Sequence, residues 1–299
     1  MTSFGERLVS GRALVADGAM GTMLLRQGLE PGACPESITL SNVELLEEIA
    51  SLYLEAGADI VETNTFGASP ARLATYGLDD KTEELNAIAV QAVRSAVGDR
   101  AYVAGSCGPS GKLLQPYGDA SSEELYASFK RQIESLVSAG IDCVFVETMT
   151  DLTEAKLAVQ AAKDCSSHTP VVATMTFDPT PRGFHTIMGV KVETAASELA
   201  AVGADAVGSN CGNGIENMIE IARAFKDASD LPMVIQSNAG MPKAIDGEIV
   251  YDETPEFMAE KVTELLSLGV SIVGGCCGTT PEHVAAIRAT VDAGENGNR

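Results

Sequence analysis

Ala139-Gly140-Ile141-Asp142-Cys143-Val144 closes a helical pattern with a glycine and opens a short β-branched run. The same punctuation returns at Ala56-Gly57-Ala58-Asp59-Ile60-Val61, at Val202-Gly203-Ala204-Asp205-Ala206-Val207 and at Leu268-Gly269-Val270-Ser271-Ile272-Val273. Glycine just past a helix supplies the left-handed residue that ends it. The run that follows is short and wholly apolar, which reads as a buried parallel strand. Upstream residues keep a helical period, with Leu45, Ile49, Leu52 and Ala56 on one face. Leu125, Phe129, Ile133 and Leu136 form a second such face, and Met258, Val262 and Leu265 a third. Further strands fit at Ala13–Asp17, Tyr102–Ser106, Val171–Phe177 and Met233–Ser237. Strand and helix thus alternate through eight units of roughly 35 residues, the pattern of an α/β (β/α)8 barrel with modest insertions. A doubly wound open sheet is the runner-up. The chain is read as one domain over residues 1–299, with Asp292 to Arg299 as a loose tail.

The chain has 299 residues, of which 45% are hydrophobic and 21% charged, so a large core needs no staples. A net charge of -22 lacks the basic footprint that nucleic acid requires and disfavours anionic membranes. The first twelve residues carry no apolar signal stretch and no run is long enough to span a bilayer, so a cytoplasmic protein is expected. Seven cysteines in no small-scaffold spacing do not read as a disulfide framework.

In a (β/α)8 barrel the chemistry gathers at the C-terminal ends of the strands. Counting seven and eight residues from each repeat glycine reaches Asn64 and Thr65, Glu147 and Thr148, Asn210 and Cys211, and Cys276 and Cys277. The first strand ends in Asp17-Gly18-Ala19, and the seventh in Ser237-Asn238-Ala239-Gly240. These residues read as one ring around a mouth. Cys276 and Cys277 are adjacent and would face opposite sides of a regular strand, so the flanking Gly274, Gly275 and Gly278 are expected to bend the chain. Two packed thiols or a vicinal disulfide is the plain alternative. Cys143 reads as core, Cys34 and Cys165 carry no partner signal, and Cys107 is placed at the pocket wall.

Three thiolates without a nearby histidine suit Zn2+, and three protein ligands leave the open position of a catalytic site. So sulfur-rich a zinc is a poor Lewis acid, yet it keeps a fourth sulfur deprotonated and nucleophilic. That chemistry points to alkyl transfer onto a substrate thiol. Asn238 is placed as the occupant of the fourth position before substrate arrives.

Asn210-Cys211 together with Gly274-Gly-Cys-Cys-Gly-Thr-Thr-Pro-Glu-His283 resembles the zinc signature of the homocysteine S-methyltransferase family. Asp17-Gly-Ala-Met-Gly-Thr22, Glu62-Thr-Asn-Thr-Phe66 and Glu147-Thr148 resemble its other motifs, in the same order. Asn238-Ala-Gly-Met-Pro242 and Gly274 to Pro281 most resemble the homocysteine-binding module of cobalamin-dependent methionine synthase. The resemblance covers nearly the whole chain. It implies zinc held by Cys211, Cys276 and Cys277, homocysteine bound through its sulfur, and methionine as product. It also implies that Asp17 and Glu147 take the substrate ammonium and that amides near Gly18 and Ala19 take its carboxylate. Asn64 and Thr65 either line the pocket or shape its loop.

No cobalamin-binding stretch is found in the sequence. The expected methyl donor is therefore a separate methylated corrinoid protein docked over the mouth, and the alternative is a small donor of the S-methylmethionine or betaine type. A homocysteine- or zinc-binding module without turnover is a further reading. An aldolase would need a strand-end lysine, and Lys191 lies beyond its strand. The loop Thr180–Ile187 carries no readable assignment. His185 is expected to face solvent and His283 to begin the last helix.

Overall fold

A computed structural model describes residues 1–245 and 248–297. Eight parallel strands form one sheet: β1 (Leu14–Val15), β2 (Ile60–Glu62), β3 (Tyr102–Cys107), β4 (Cys143–Met149), β5 (Val171–Met175), β6 (Ala206–Asn210), β7 (Met233–Ser237) and β8 (Val270–Gly275). Their hydrogen-bonded order is β1-β8-β7-β6-β5-β4-β3-β2. The remaining seam is closed by a parallel bridge between Ala16 and Ile60. Beside it, Asp59 N–H donates to Val15 O at 2.7 Å and Asp17 N–H to Ile60 O at 3.0 Å. The sheet is therefore a barrel and not an open, doubly wound sheet.

The repeat explains its own geometry. Gly57, Gly140, Gly203 and Gly269 all adopt the left-handed backbone expected of them, with φ between 88 and 100°. Two residues after the first three stands an aspartate, and each does the same work. Asp59, Asp142 and Asp205 accept a backbone N–H at the start of β1, β3 and β5, from Val15, Val103 and Val171, over 2.7 to 2.9 Å. Each is also held by a cation, Arg288, Arg94 and Lys163 respectively. These latches lie at the N-terminal rim, the end that carries stability and not chemistry.

Side chains alternate along the strands, as pleating demands. Leu14, Ile60, Tyr102, Ala104, Cys143, Phe145, Val172, Ala206, Val234 and Ile272 point into the barrel, joined from below by Phe4 and Leu8 of a short N-terminal helix. The Phe4 and Tyr102 rings meet edge to face at 5.4 Å. Val15, Val61, Val103, Val144, Val146, Val171 and Val207 point outward and pack under the helices.

Two of the three expected helical faces are buried as read, Leu125 to Leu136 and Met258 to Leu265. The helix Val43–Glu55 is rotated. It buries Leu46, Ile49, Ala50 and Tyr53 and leaves Leu52 exposed, because the bulky Tyr53 takes the inner position. The last helix runs Pro281–Gly297, so most of the expected loose tail is helical, while residues 298 and 299 lie outside the described residues. The loop Thr180–Ile187 overlaps a small antiparallel hairpin, Asp178–Thr180 against Gly183–His185, on the C-terminal side of the barrel. His185 is only half-buried there, and its Nδ1 lies 3.2 Å from Thr180 Oγ1.

Gly208 sits inside the barrel on β6, where a Cβ would run into the backbone carbonyl of Val234 on β7. Gly208→Ala should therefore cost about 3 kcal/mol through forced strand separation. Urea denaturation checks this, and a loss below about 1 kcal/mol would show that the strands can yield.

Candidate active site

The alternation that fills the barrel floor with hydrocarbon turns polar one layer higher. Glu62, Ser106, Glu147, Thr174, Asn210 and Gln236 occupy the next inward positions on β2 to β7, and Asp17 follows β1. All are buried except Glu62, which is partly exposed. They form one hydrogen-bonded layer. Ser106 Oγ donates to Glu147, and Asn210 Nδ2 donates to its other carboxyl oxygen at 3.0 Å. Asn210 Oδ1 accepts from Thr174 Oγ1 at 2.8 Å and from Thr148 N–H at 2.7 Å. Across the barrel, Gln236 Nε2 donates to Glu62 Oε1 at 2.7 Å, and Glu62 N–H donates to Asp17 Oδ2 at 2.9 Å.

Three carboxyls share this layer, and no basic group is among the neighbours that perturb them. Burial pushes Asp17 up to about 8, the hydrogen bond from Glu62 N–H opposes this, and the charge of Glu147 adds to it. Burial likewise raises Glu147, against its hydrogen bonds to Glu62 and Ser106. Asp17 Oδ1, Gln236 Oε1 and Asn238 Oδ1 are buried acceptors without a donor. An unmet buried acceptor is costly, so such a layer is built to receive a ligand rich in N–H donors.

The thiols stand directly above. Cys211 follows β6 with a left-handed backbone, φ 61°, a conformation uncommon outside glycine. After β8 the chain leaves the strand as expected: Cys276 N–H donates to Ser237 O at 2.7 Å, and Thr279 N–H returns to Cys276 O at 3.1 Å. Gly278 completes the turn with φ 83°, and its N–H donates to Thr22 Oγ1 at 3.1 Å. This bend brings the sulfurs of Cys211, Cys276 and Cys277 within 4.8 Å of one another, all three being free thiols. Cys211 Sγ and Cys277 Sγ are 3.7 Å apart. Hydrogen bonds from Cys211 and Cys276, with a further one from Tyr251, pull Cys277 down to about 3. The Tyr251 ring covers Gly278, where a Cβ would collide with it.

The remaining expected residues divide. Gly18 is packed so closely that a Cβ would lie 2.7 Å from Thr279 Oγ1, and Ala19 N–H donates to that oxygen at 3.3 Å. Of the two readings of Asn64 and Thr65, their hydrogen bonds favour loop shaping. Asn64 Nδ2 donates to Pro35 O at 2.8 Å and Thr65 Oγ1 to Ser106 O at 2.7 Å, with both side chains buried. Cys107 is corrected from its place at the pocket wall, since it faces the helices and its Sγ donates to Gln132 Oε1 at 3.3 Å. His283 does begin the last helix, bonded to Thr280 and to Glu253 O. Glu62, Gln236 and Tyr251 were not singled out from sequence. Glu62 lies within a motif that was read, but at five and not seven residues from its glycine.

The family model described as homocysteine S-methyltransferase matches residues 14–291. This chain belongs to that family. Relatives of this homocysteine S-methyltransferase family member include methionine synthase of Mycobacterium leprae (strain TN), 32% identical over 94% of the chain, and methionine synthase of Mycobacterium tuberculosis, 32% identical over 95%. The chain spans about a quarter of the length of these relatives, 24% and 25%. The crystal structure of the homocysteine methyltransferase MmuM from Escherichia coli, in its metallated form, is 25% identical with a TM-score of 0.77, covering 93% of this chain and 96% of that one. In this family member the sulfur spacing fits a metal. Tetrahedral zinc with bonds of about 2.3 Å separates its sulfurs by roughly 3.7 Å, close to the Cys211–Cys277 distance.

A carboxyl raised in the folded state adds stability that is full below its ordinary value and lost as pH rises through the raised one. For Asp17 the window runs from the ordinary 3.8 to about 8. Between about pH 4 and pH 8 the ligand-free protein should therefore melt at falling temperature, and Asp17→Asn should flatten that slope. Calorimetric melting across the window decides; parallel slopes in both proteins would remove Asp17 as the cause.

Proposed function

We propose that the protein transfers a methyl group to the thiol of homocysteine, giving methionine, with zinc held by Cys211, Cys276 and Cys277. The observation that carries this reading is a single amide. Asn210 Nδ2 lies 3.0 Å from the Glu147 carboxyl and 4.0 Å from Cys276 Sγ. A carboxylate subsite and a sulfur subsite are thus adjacent, at a separation that the short chain of an amino-acid thiol spans. The acceptors Asp17 Oδ1, Gln236 Oε1 and Glu147 take the ammonium, and the amides at Gly18 and Ala19 are read as the carboxylate subsite, Ala19 N–H turning from Thr279 Oγ1 to the substrate. Zinc held by the three cysteines would supply a soft, thiolate-rich centre, the chemistry that keeps a bound substrate sulfur ionised. Asn238, with its unpartnered Oδ1, suits the fourth ligand position while substrate is absent.

With ammonium and sulfur both anchored, the sulfur lone pair faces the mouth. The methyl carbon's bond to its donor breaks as the S–C bond forms, and the thiol proton has already gone to solvent. No general base acts in that step. The chain's part is to orient and desolvate the nucleophile.

The donor is read as a methylated corrinoid carried on protein. The loops that leave the C-terminal strand ends expose Leu25, Leu113, Tyr117, Ile187, Met241 and Ile249, with Tyr117 78% and Ile187 77% accessible. An apolar fringe of that kind around one mouth suits a macromolecular partner more than a small solute. The second reading is a small donor of the S-methylmethionine or betaine type. It is favoured by the likeness to the E. coli homocysteine methyltransferase, 96% of which is covered by this one barrel.

The test is zinc content with methionine formation, donors being offered one at a time: methylcobalamin, S-methylmethionine, betaine and methyltetrahydrofolate. Stoichiometric zinc and turnover on one donor are expected, and Cys211→Ala should lose both together. Full activity in zinc-free Cys211→Ala would sink the reading. With a protein-borne donor, Tyr117→Ser combined with Ile187→Ser should raise KM for that donor about tenfold and leave homocysteine binding alone. An equal KM would return the choice to a small donor.

A further inference from the structure

Glu62 takes no part in the scheme above, yet it sits at the centre of the polar layer. Its carboxyl accepts from Gln236 across the barrel and is in hydrogen-bonding contact with the carboxyl of Glu147. Ionised carboxylates only accept, so two of them in contact without a cation hold one proton between them. The donors decide where it resides. Glu147 already receives Ser106 Oγ and Asn210 Nδ2, one on each oxygen, which favours its charged form. Glu62 receives Gln236 alone among side-chain donors.

We propose that Glu62 works as a neutral carboxylic acid that donates to Glu147 and accepts from Gln236, a positioning residue that fixes Glu147 as the anionic partner of the substrate ammonium. The inference rests on the reading that an amino-acid ammonium binds in this layer. The other titratable groups facing the pair agree with it. Asp17 from β1 and Tyr53 behind Asp17 are acidic groups, and three thiolates would leave a zinc at the cysteines net negative, so none supplies the counter-charge that would let both glutamates ionise. Burial, then the charges of Glu147 and Asp17, holds Glu62 well above the usual carboxylate range. A neutral Glu62 also lowers the negative charge of a layer that has one ammonium to balance.

The test compares three proteins, each loaded with zinc. Glu62→Ala leaves Glu147 without its donor and Gln236 without its acceptor, and should raise KM for homocysteine about tenfold with kcat little changed. Glu62→Gln carries both an N–H donor and a carbonyl acceptor at the same reach, and should recover most of that loss. A ligand-free infrared difference spectrum, wild type minus Glu62→Gln, should show the carbonyl band of a protonated buried carboxyl. If Glu62→Gln loses as much affinity as Glu62→Ala, or the band is missing while homocysteine binds, Glu62 is an ionised contact and the proposal is overturned. If the wild type binds no homocysteine, the functional reading fails, and the infrared band alone then decides the protonation of Glu62.

Discussion

Closure of the sheet between β1 and β2 is the constraint on which the site depends. Asp17 is carried at the end of β1 and Glu62 at the end of β2, and the bridge from Ala16 to Ile60 sets them side by side. Were the seam open, Gln236 would have no carboxyl to reach across the barrel, and the polar layer would lose its span. The seam is held by little hydrogen bonding of its own. The Asp59 latch reinforces it from below: its backbone N–H bonds Val15 O, and its carboxylate takes both Val15 N–H and Arg288. Stability at one end of the barrel thus secures geometry at the other.

The site adds two features that cost stability. Thr148 and Cys211 both hold positive φ at strand ends, where a non-glycine residue is strained. One carboxyl oxygen of Asp17 and the amide oxygen of Gln236 are buried without donors one layer below. Local departures from good packing rules concentrated at one rim are what a binding site looks like, since a ligand relieves them. The surrounding β-branched strands and close-packed helices supply the rigidity that keeps both features in place.

Much of this was legible in the sequence. The glycine punctuation located four strands outright, because a left-handed helix terminus followed by a buried strand has few alternative readings. It also led to Glu147, Cys211, Cys276 and Cys277 as rim residues. It misled at Asn64 and Thr65, because strands in a barrel are tilted and staggered, so a fixed count from the helix end does not reach a fixed height. The inward residue of β2 at the level of the site is Glu62, two positions earlier. Counting in steps of two from the buried Ile60 would have found it. The latch aspartates were visible in the repeat, but their work is long-range and has no local signature. Tyr251 lay beyond reach for a simpler reason: it meets Gly278 and Cys277 only through tertiary packing.

The floor of the barrel carries a last consequence. Phe4 and Leu8 of the first helix pack onto Tyr102, Phe145 and Val172, so hydrocarbon fills the space beneath the polar layer. Closed below in this way, the polar layer is the bottom of a well that opens at the C-terminal mouth. Whatever sits deepest in it enters first and leaves last, and anything that caps the mouth imprisons the occupant until the cap departs. Traffic through such a well is ordered by its shape alone, before any affinity is considered.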